Sequence, residues 1–144
     1  MSYIKIWIHC VWTTKNRTPC LKDGIKDKVI LHILENAKQK GIYIEKLNGH
    51  HEHLHALISL GSSQNVSDLM QKIKGESSFW INKNKLTRFK FGWQDDYYAV
   101  SVGMDHFENL KQYIGNQDKH HQKDPLKEEL DSLIREYKME KFAD

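Results

Sequence analysis

A chain of 144 residues with 39% hydrophobic and 28% charged side chains can pack one ordinary core, which excludes the polar composition of a disordered segment. No stretch reaches the ~20 apolar residues of a membrane span, and residues 1–5 lack the layout of a signal peptide, so a single cytoplasmic domain spanning 1–144 is expected. The two cysteines, Cys10 and Cys20, are too few for a disulfide framework or a zinc knuckle and read as reduced thiols. The formal charge of +3 hides an asymmetry: up to Gln94, 15 Lys/Arg stand against 7 Asp/Glu, and from Asp95 onward 7 stand against 12. A basic first part is compatible with a polyanion such as nucleic acid, and equally with a solvated lysine-rich surface.

Residues 3–12 alternate, with Ile4, Ile6, Ile8, Cys10 and Trp12 on one side and Lys5, Trp7, His9 and Val11 on the other, which predicts a first strand. A basic loop with Lys15, Asn16, Arg17 and Pro19 follows. Ile25, Val29, Ile33 and Ala37 recur at helical spacing, and Gly41 stops that helix. Residues 42–47 form a short strand, and Asn48-Gly49 before another strand-like run predicts a tight hairpin.

The next run, from Glu52 to Leu60, divides its side chains by chemistry. Leu54, Ala56, Ile58 and Leu60 point one way, whereas His51, His53 and His55 point the other. Imidazoles two positions apart on a strand face are separated by roughly 6–7 Å at the backbone, within reach of one divalent cation. A His-x-His pair is also ordinary polar cover for a half-exposed strand. A third ligand and a reactive group elsewhere in the chain would separate the two readings.

Val66, Leu69, Met70 and Ile73 begin a second helix, capped by Asn65 or a preceding serine and running through Gly75 to Ile81. Lys72, Lys74, Lys83 and Lys85 lie among aromatics that suit stacking on a single strand. For Phe79 and Trp80, however, a place in the core is the expected role, with the lysines solvated. A last strand covers 97–102. Asp105 and Glu108 resemble a capping box for a tyrosine-bearing helix over about 105–121, with Phe107, Leu110 and Ile114 as its core stripe. Tyr113 and Gln117 stand one turn apart on it, and His120, His121 and Gln122 end it. Asp124-Pro125 starts a final helix over about 125–141, with Leu126, Leu130, Leu133, Ile134 and Tyr137 as its stripe and charged residues elsewhere.

The order strand-helix-strand-strand-helix-strand predicts an α+β fold: a ferredoxin-like, RRM-like βαββαβ antiparallel sheet with helices on one face, plus the tyrosine helix and the C-terminal helix. Its central strands are the first and third, so the histidine strand is central.

Five segments together resemble the single-tyrosine HUH transposases of small bacterial insertion sequences, the IS-two-hundred type. They are residues 9–17 (His9-Cys10-Val11-Trp12-Thr13-Thr14-Lys15-Asn16-Arg17), His53-Leu54-His55-Ala56-Leu57, Lys74-Gly75-Glu76-Ser77-Ser78, Trp93-Gln94 with residues 98–103, and Tyr113-Ile114-Gly115-Asn116-Gln117. The resemblance covers nearly the whole chain. It implies that His53 and His55 are paired metal ligands, Gln117 the third protein ligand, and Tyr113 the nucleophile. It also implies a Mg²⁺ or Mn²⁺ cofactor, hairpin-bearing single-stranded DNA as substrate, a 5′-phosphotyrosine intermediate, and a homodimer sharing its active sites between subunits. Lys15, Arg17, Lys72 and Lys74 are candidate DNA contacts.

Alternatives compete within and beyond this class. A domesticated HUH nuclease acting on repeated palindromes would share every motif, and a non-catalytic RNA-binding domain would share the topology while stacking bases on an open sheet face. A zinc hydrolase is disfavoured by the lack of a His-x-x-Glu-His helix or cysteine ligands. Tyr97 and Tyr98 rival Tyr113 as nucleophile, but neither has a glutamine one turn away.

Overall fold

The structure is a computed structural model that describes residues 1–117 and 125–142. The expectations placed on His120, His121, Gln122 and Asp124 lie outside the described residues. Four strands, β1 (Trp7–Thr13), β2 (Tyr43–Gly49), β3 (His53–Ser59) and β4 (Tyr98–Val102), pair antiparallel in the order β2-β3-β1-β4. Among the described residues the α-helices are α1 (Ile25–Gln39), α2 (Val66–Lys83), α3 (Phe107–Gly115) and α4 (Leu126–Glu136). The α+β fold is the one expected, and β1 and β3 are its centre.

Strand alternation sorts the side chains of β1 and β3 onto two faces. Ile8, Cys10 and Trp12 join Leu54, Ala56 and Ile58 beneath α1 and α2, where Val29, Ile33, Ala37, Leu69, Met70, Ile73 and Ile81 complete the main core. Burying a side chain of this size contributes about 1.5–3 kcal/mol, so this layer holds most of the fold together. The alternate residues face the other way. Trp7 and Leu57 pack with Ile114 and Phe107 of α3, and Val11 packs with Leu126 and Leu130 of α4.

Local chemistry explains the helix ends. Asn65 accepts a hydrogen bond from the Asp68 amide at 2.9 Å and caps α2. At the end of α1, Gly41 takes φ +72°. The Ile42 amide donates to the Ala37 carbonyl at 2.9 Å and the Gly41 amide to Lys38 at 3.3 Å, closing the helix with a left-handed residue that glycine tolerates.

Several expected boundaries move. The first strand starts at Trp7, because its partner β3 ends at Ser59 opposite Trp7; Tyr3, Ile4 and Ile6 are exposed beyond the ladder despite their alternation. The last strand starts at Tyr98. Asn48 and Gly49 are not the hairpin turn: they pair with His55 and Leu54 inside the ladder, and His50 to Glu52 make the connection. Gly49 is required for another reason, since a Cβ there would lie 2.0 Å from the His53 carbonyl oxygen. Asp105 sits in a 3₁₀ turn, Met104–His106, and gives α3 no side-chain cap. Phe79 is 65% exposed and not core, whereas Trp80 is half-buried and stacks on His32 at 4.0 Å between ring centroids. The helix α4 ends at Glu136, where Lys138 turns to φ +51°.

Candidate metal and nucleophile site

The face of β3 turned towards α3 and α4 carries His53, His55 and Leu57. Both histidines are fully buried, which removes the reading of polar cover on a half-exposed strand. Each imidazole has its Nδ1 held from behind. The Glu52 carboxylate lies 2.7 Å from His53 Nδ1, and His9 Nε2 lies 2.8 Å from His55 Nδ1. Such outer partners fix a ring's orientation and tautomer, leaving the opposite nitrogen to do the work. Both Nε2 atoms then point into the same small space.

Three further side chains enter that space. Gln117, fully buried just past α3, brings Oε1 to 3.1 Å from His53 Nε2. Glu129 of α4, 5% exposed, sets Oε1 at 2.9 Å from His55 Nε2 and Oε2 at 3.8 Å from His53 Nε2. The Tyr113 hydroxyl donates to Glu129 Oε1, and the Tyr113 ring stands edge-on to His55 with centroids 5.8 Å apart. Tyr113 and Gln117, one helical turn apart, are thus brought to the His53/His55 pair within one chain.

The electrostatics of the cluster are those of a water-poor site. Burial pushes the His9 imidazole down to about 3, with the neighbouring His55 lowering it further and Glu129 partly opposing both, so His9 is neutral at physiological pH. The two ring nitrogens of His53 face two oxygen atoms, the Glu52 carboxylate and the Gln117 amide oxygen, and a metal ion held between Nε2 and the amide oxygen would satisfy both. The donor atoms of His53, His55 and Glu129 all lie within 4.8 Å of one another. Separations near 3 Å are also the edges of a coordination shell with bonds of about 2.1 Å. These donor types suit a divalent cation.

Comparison with known proteins follows the geometry. The family model described as Transposase IS200 like matches residues 2–117. The chain belongs to this family. Among solved structures, the chain is similar to a proposed transposase from Deinococcus radiodurans R1, with TM-score 0.66 and 22% identity over 81% of this chain and 93% of that one. It is also similar to a REP-associated tyrosine transposase bound to a REP hairpin, with TM-score 0.61 and 17% identity over 84% of this chain and 72% of that one. No curated protein sequence matches the chain. At these identities the two structures speak for the fold, which they share with this family member.

The remaining candidates divide by position. Lys15 and Arg17 are exposed in a 3₁₀ turn, Lys15–Arg17, that lies at the end of β1 where the Thr14 amide donates to the Glu52 carbonyl at 2.8 Å. Asn16 and Arg17 there have φ of +58° and +52°, a costly backbone for residues with a Cβ. Lys72 and Lys74 are on α2, across the sheet from the histidine pair; Lys74 Nζ donates to the Asp95 carbonyl at 2.8 Å and stands 5.8 Å from the Tyr97 ring centroid. Tyr98 packs against α4 and Tyr97 against the main core. His50 and His51 stack on each other in the connection before β3.

Sequence reading missed His9, Glu52 and Glu129. Glu129 lies three residues after Leu126 and four before Leu133, on the flank of the apolar stripe, a position that periodicity alone does not assign to core or surface. His9 shares the alternation of Trp7 and Val11, but its reach to His55 depends on the register of β1 against β3, in which Val11 is opposite His55. Among the described residues no helix is long and apolar enough to cross a membrane.

Proposed function

We propose that this family member cleaves and rejoins single-stranded DNA by metal-assisted transesterification at Tyr113, with His53, His55 and Gln117 as ligands of a Mg²⁺ or Mn²⁺ ion. The observation that carries the reading is the convergence of the Tyr113 hydroxyl and the two buried Nε2 atoms on the Glu129 carboxylate. The cation, when bound, draws charge from the scissile phosphate and lowers the barrier to an anionic attack.

Everything else is supplied by the chain. A tyrosine hydroxyl, ordinarily protonated at neutral pH with a pKa of ~10, needs a neighbour that accepts its proton or orients it, and Glu129 accepts its hydrogen bond. Attack by Tyr113 Oη on phosphorus forms the tyrosyl ester and breaks the P–O3′ bond; the released 3′-oxygen takes up a proton. The 5′-phosphate stays on the enzyme. A 3′-hydroxyl from a second strand can reverse the step, restoring a diester without a nucleotide cofactor. Tyr113 reaches the histidine pair of its own chain, the arrangement that attack in cis requires. Lys15 and Arg17, exposed beside Glu52, suit contacts to the DNA backbone near the cut.

A second substrate reading has its own support. The similar REP-associated transposase is bound to a REP hairpin, which favours palindromic repeats as targets, as the domesticated-nuclease alternative has it. An RNA-reading sheet is disfavoured, because Trp7, Val11 and Leu57 on its second face are buried under α3 and α4. Incubation with end-labelled, hairpin-bearing strands from the flanking genome and Mn²⁺ is expected to yield an adduct that survives denaturant. Tyr113→Phe is expected to abolish it; an undiminished adduct in that variant would overturn the assignment.

A further inference from the structure

We infer that Glu129 is a fourth protein ligand of the cation, so that metal occupancy strengthens the docking of α4 against the sheet. This rests on the proposed metal role of His53 and His55 and extends it to a helix beyond the 2–117 region matched by the family model. A carboxylate flanking the apolar stripe of α4 is carried, nearly fully buried, to 2.9 Å from His55 Nε2 and 3.8 Å from His53 Nε2. Moving a carboxylate out of water costs several kcal/mol unless charge or hydrogen bonds compensate. Leu126 and Leu130 supply the apolar part of the docking against Val11, with Tyr98 and Leu133 at the margin. The polar part centres on the histidine pair and Tyr113.

The separations suit the role. His55 Nε2 to Glu129 Oε1 at 2.9 Å and His53 Nε2 to Gln117 Oε1 at 3.1 Å are each an edge of one shell with bonds of about 2.1 Å. A carboxylate adds negative charge to an otherwise neutral set of two imidazoles and an amide. This raises affinity for a divalent ion, and the imidazoles tilt the preference from Mg²⁺ towards Mn²⁺. Because Glu129 also accepts the Tyr113 hydrogen bond, the same carboxylate ties the nucleophile to the metal. Linkage makes the consequence reciprocal: whatever metal affinity α4 contributes, metal returns as docking of α4.

The test is Mn²⁺ titration by calorimetry of the full chain, Glu129→Gln and His55→Ala, with amide hydrogen exchange of residues 126–136 followed in each. Glu129→Gln is expected to weaken Mn²⁺ binding by about tenfold or more, since loss of even an outer partner of a ligand costs 10–100-fold. Mn²⁺ is expected to slow exchange in α4 of the wild-type chain and not of Glu129→Gln. If His55→Ala loses Mn²⁺ while Glu129→Gln keeps full affinity, α4 is no part of the site and the proposed function stands. If neither variant loses affinity, the metal role of the histidine pair falls with it. Should Glu129→Gln not fold, the wild-type chain decides alone: unchanged exchange of 126–136 on Mn²⁺ binding overturns the inference.

Discussion

The two faces of one sheet differ in what they ask of the same strands. Beneath α1 and α2, the even-numbered residues of β1 and β3 are apolar and fully buried, and they need only shape and volume to match. Beneath α3 and α4, the odd-numbered residues include His9, His53 and His55, equally buried but dependent on specific hydrogen-bond partners. One face supplies stability, and the other spends some of it to hold polar groups at fixed distances. A strand repeat of two residues lets both tasks be written into seven positions each.

Substitutions that touch one face should leave the other's property nearly intact. On the polar face, His55→Ala is expected to abolish the DNA adduct and any thermal stabilisation by Mn²⁺. The metal-free protein should lose less stability than in a core variant, as measured by urea unfolding. On the apolar face, Leu54→Ala empties a fully buried position and is expected to cost about 2–5 kcal/mol in the same unfolding measurement. The surviving folded fraction should still form adduct. Equal losses of stability in the two variants would erase the distinction between the faces.

A smaller effect separates the ligand from its support. His9→Ala leaves both ligands in place but frees His55 Nδ1, and is expected to weaken Mn²⁺ binding by about 10–100-fold in calorimetry. The same residue gives a pH signature in the metal-free protein. His9 stays neutral in the fold down to about 3, whereas an unfolded imidazole takes a proton near 6.5. Between these values the unfolded state binds more protons, so stability falls as pH drops from 6.5 towards 3 and is unaffected by His9 above that window. Its share of the slope is at most about 1.4 kcal/mol per pH unit. Stability profiles of wild type and His9→Gln, which cannot titrate, should diverge in that window and run parallel above it.

The apolar face was the legible one. Periodicity located α1 and α2, Gly41 ended the first and Asn65 capped the second, because each signal is local in the chain. The His53/His55 pair and the Tyr113/Gln117 spacing were also legible, being side chains two apart on a strand and four apart on a helix. What brings the two pairs together was not. Glu129 looked like helix surface until the docking of α4 was known, and the role of His9 waits on a strand register. Asn48-Gly49 misled for a related reason: its glycine answers a close approach by the His53 carbonyl, a tertiary demand that resembles turn chemistry in sequence.

The account rests on Tyr113 as the residue that takes the DNA. Its most direct test is to trap the adduct with a short strand, digest with trypsin, and find the peptide that carries nucleotide by mass spectrometry. Cleavage after Lys111 and Lys119 isolates Tyr113 on residues 112–119, while Tyr97 and Tyr98 fall together on 91–111. The added nucleotide mass is expected on 112–119. Finding it on 91–111 instead would contradict the assignment of Tyr113.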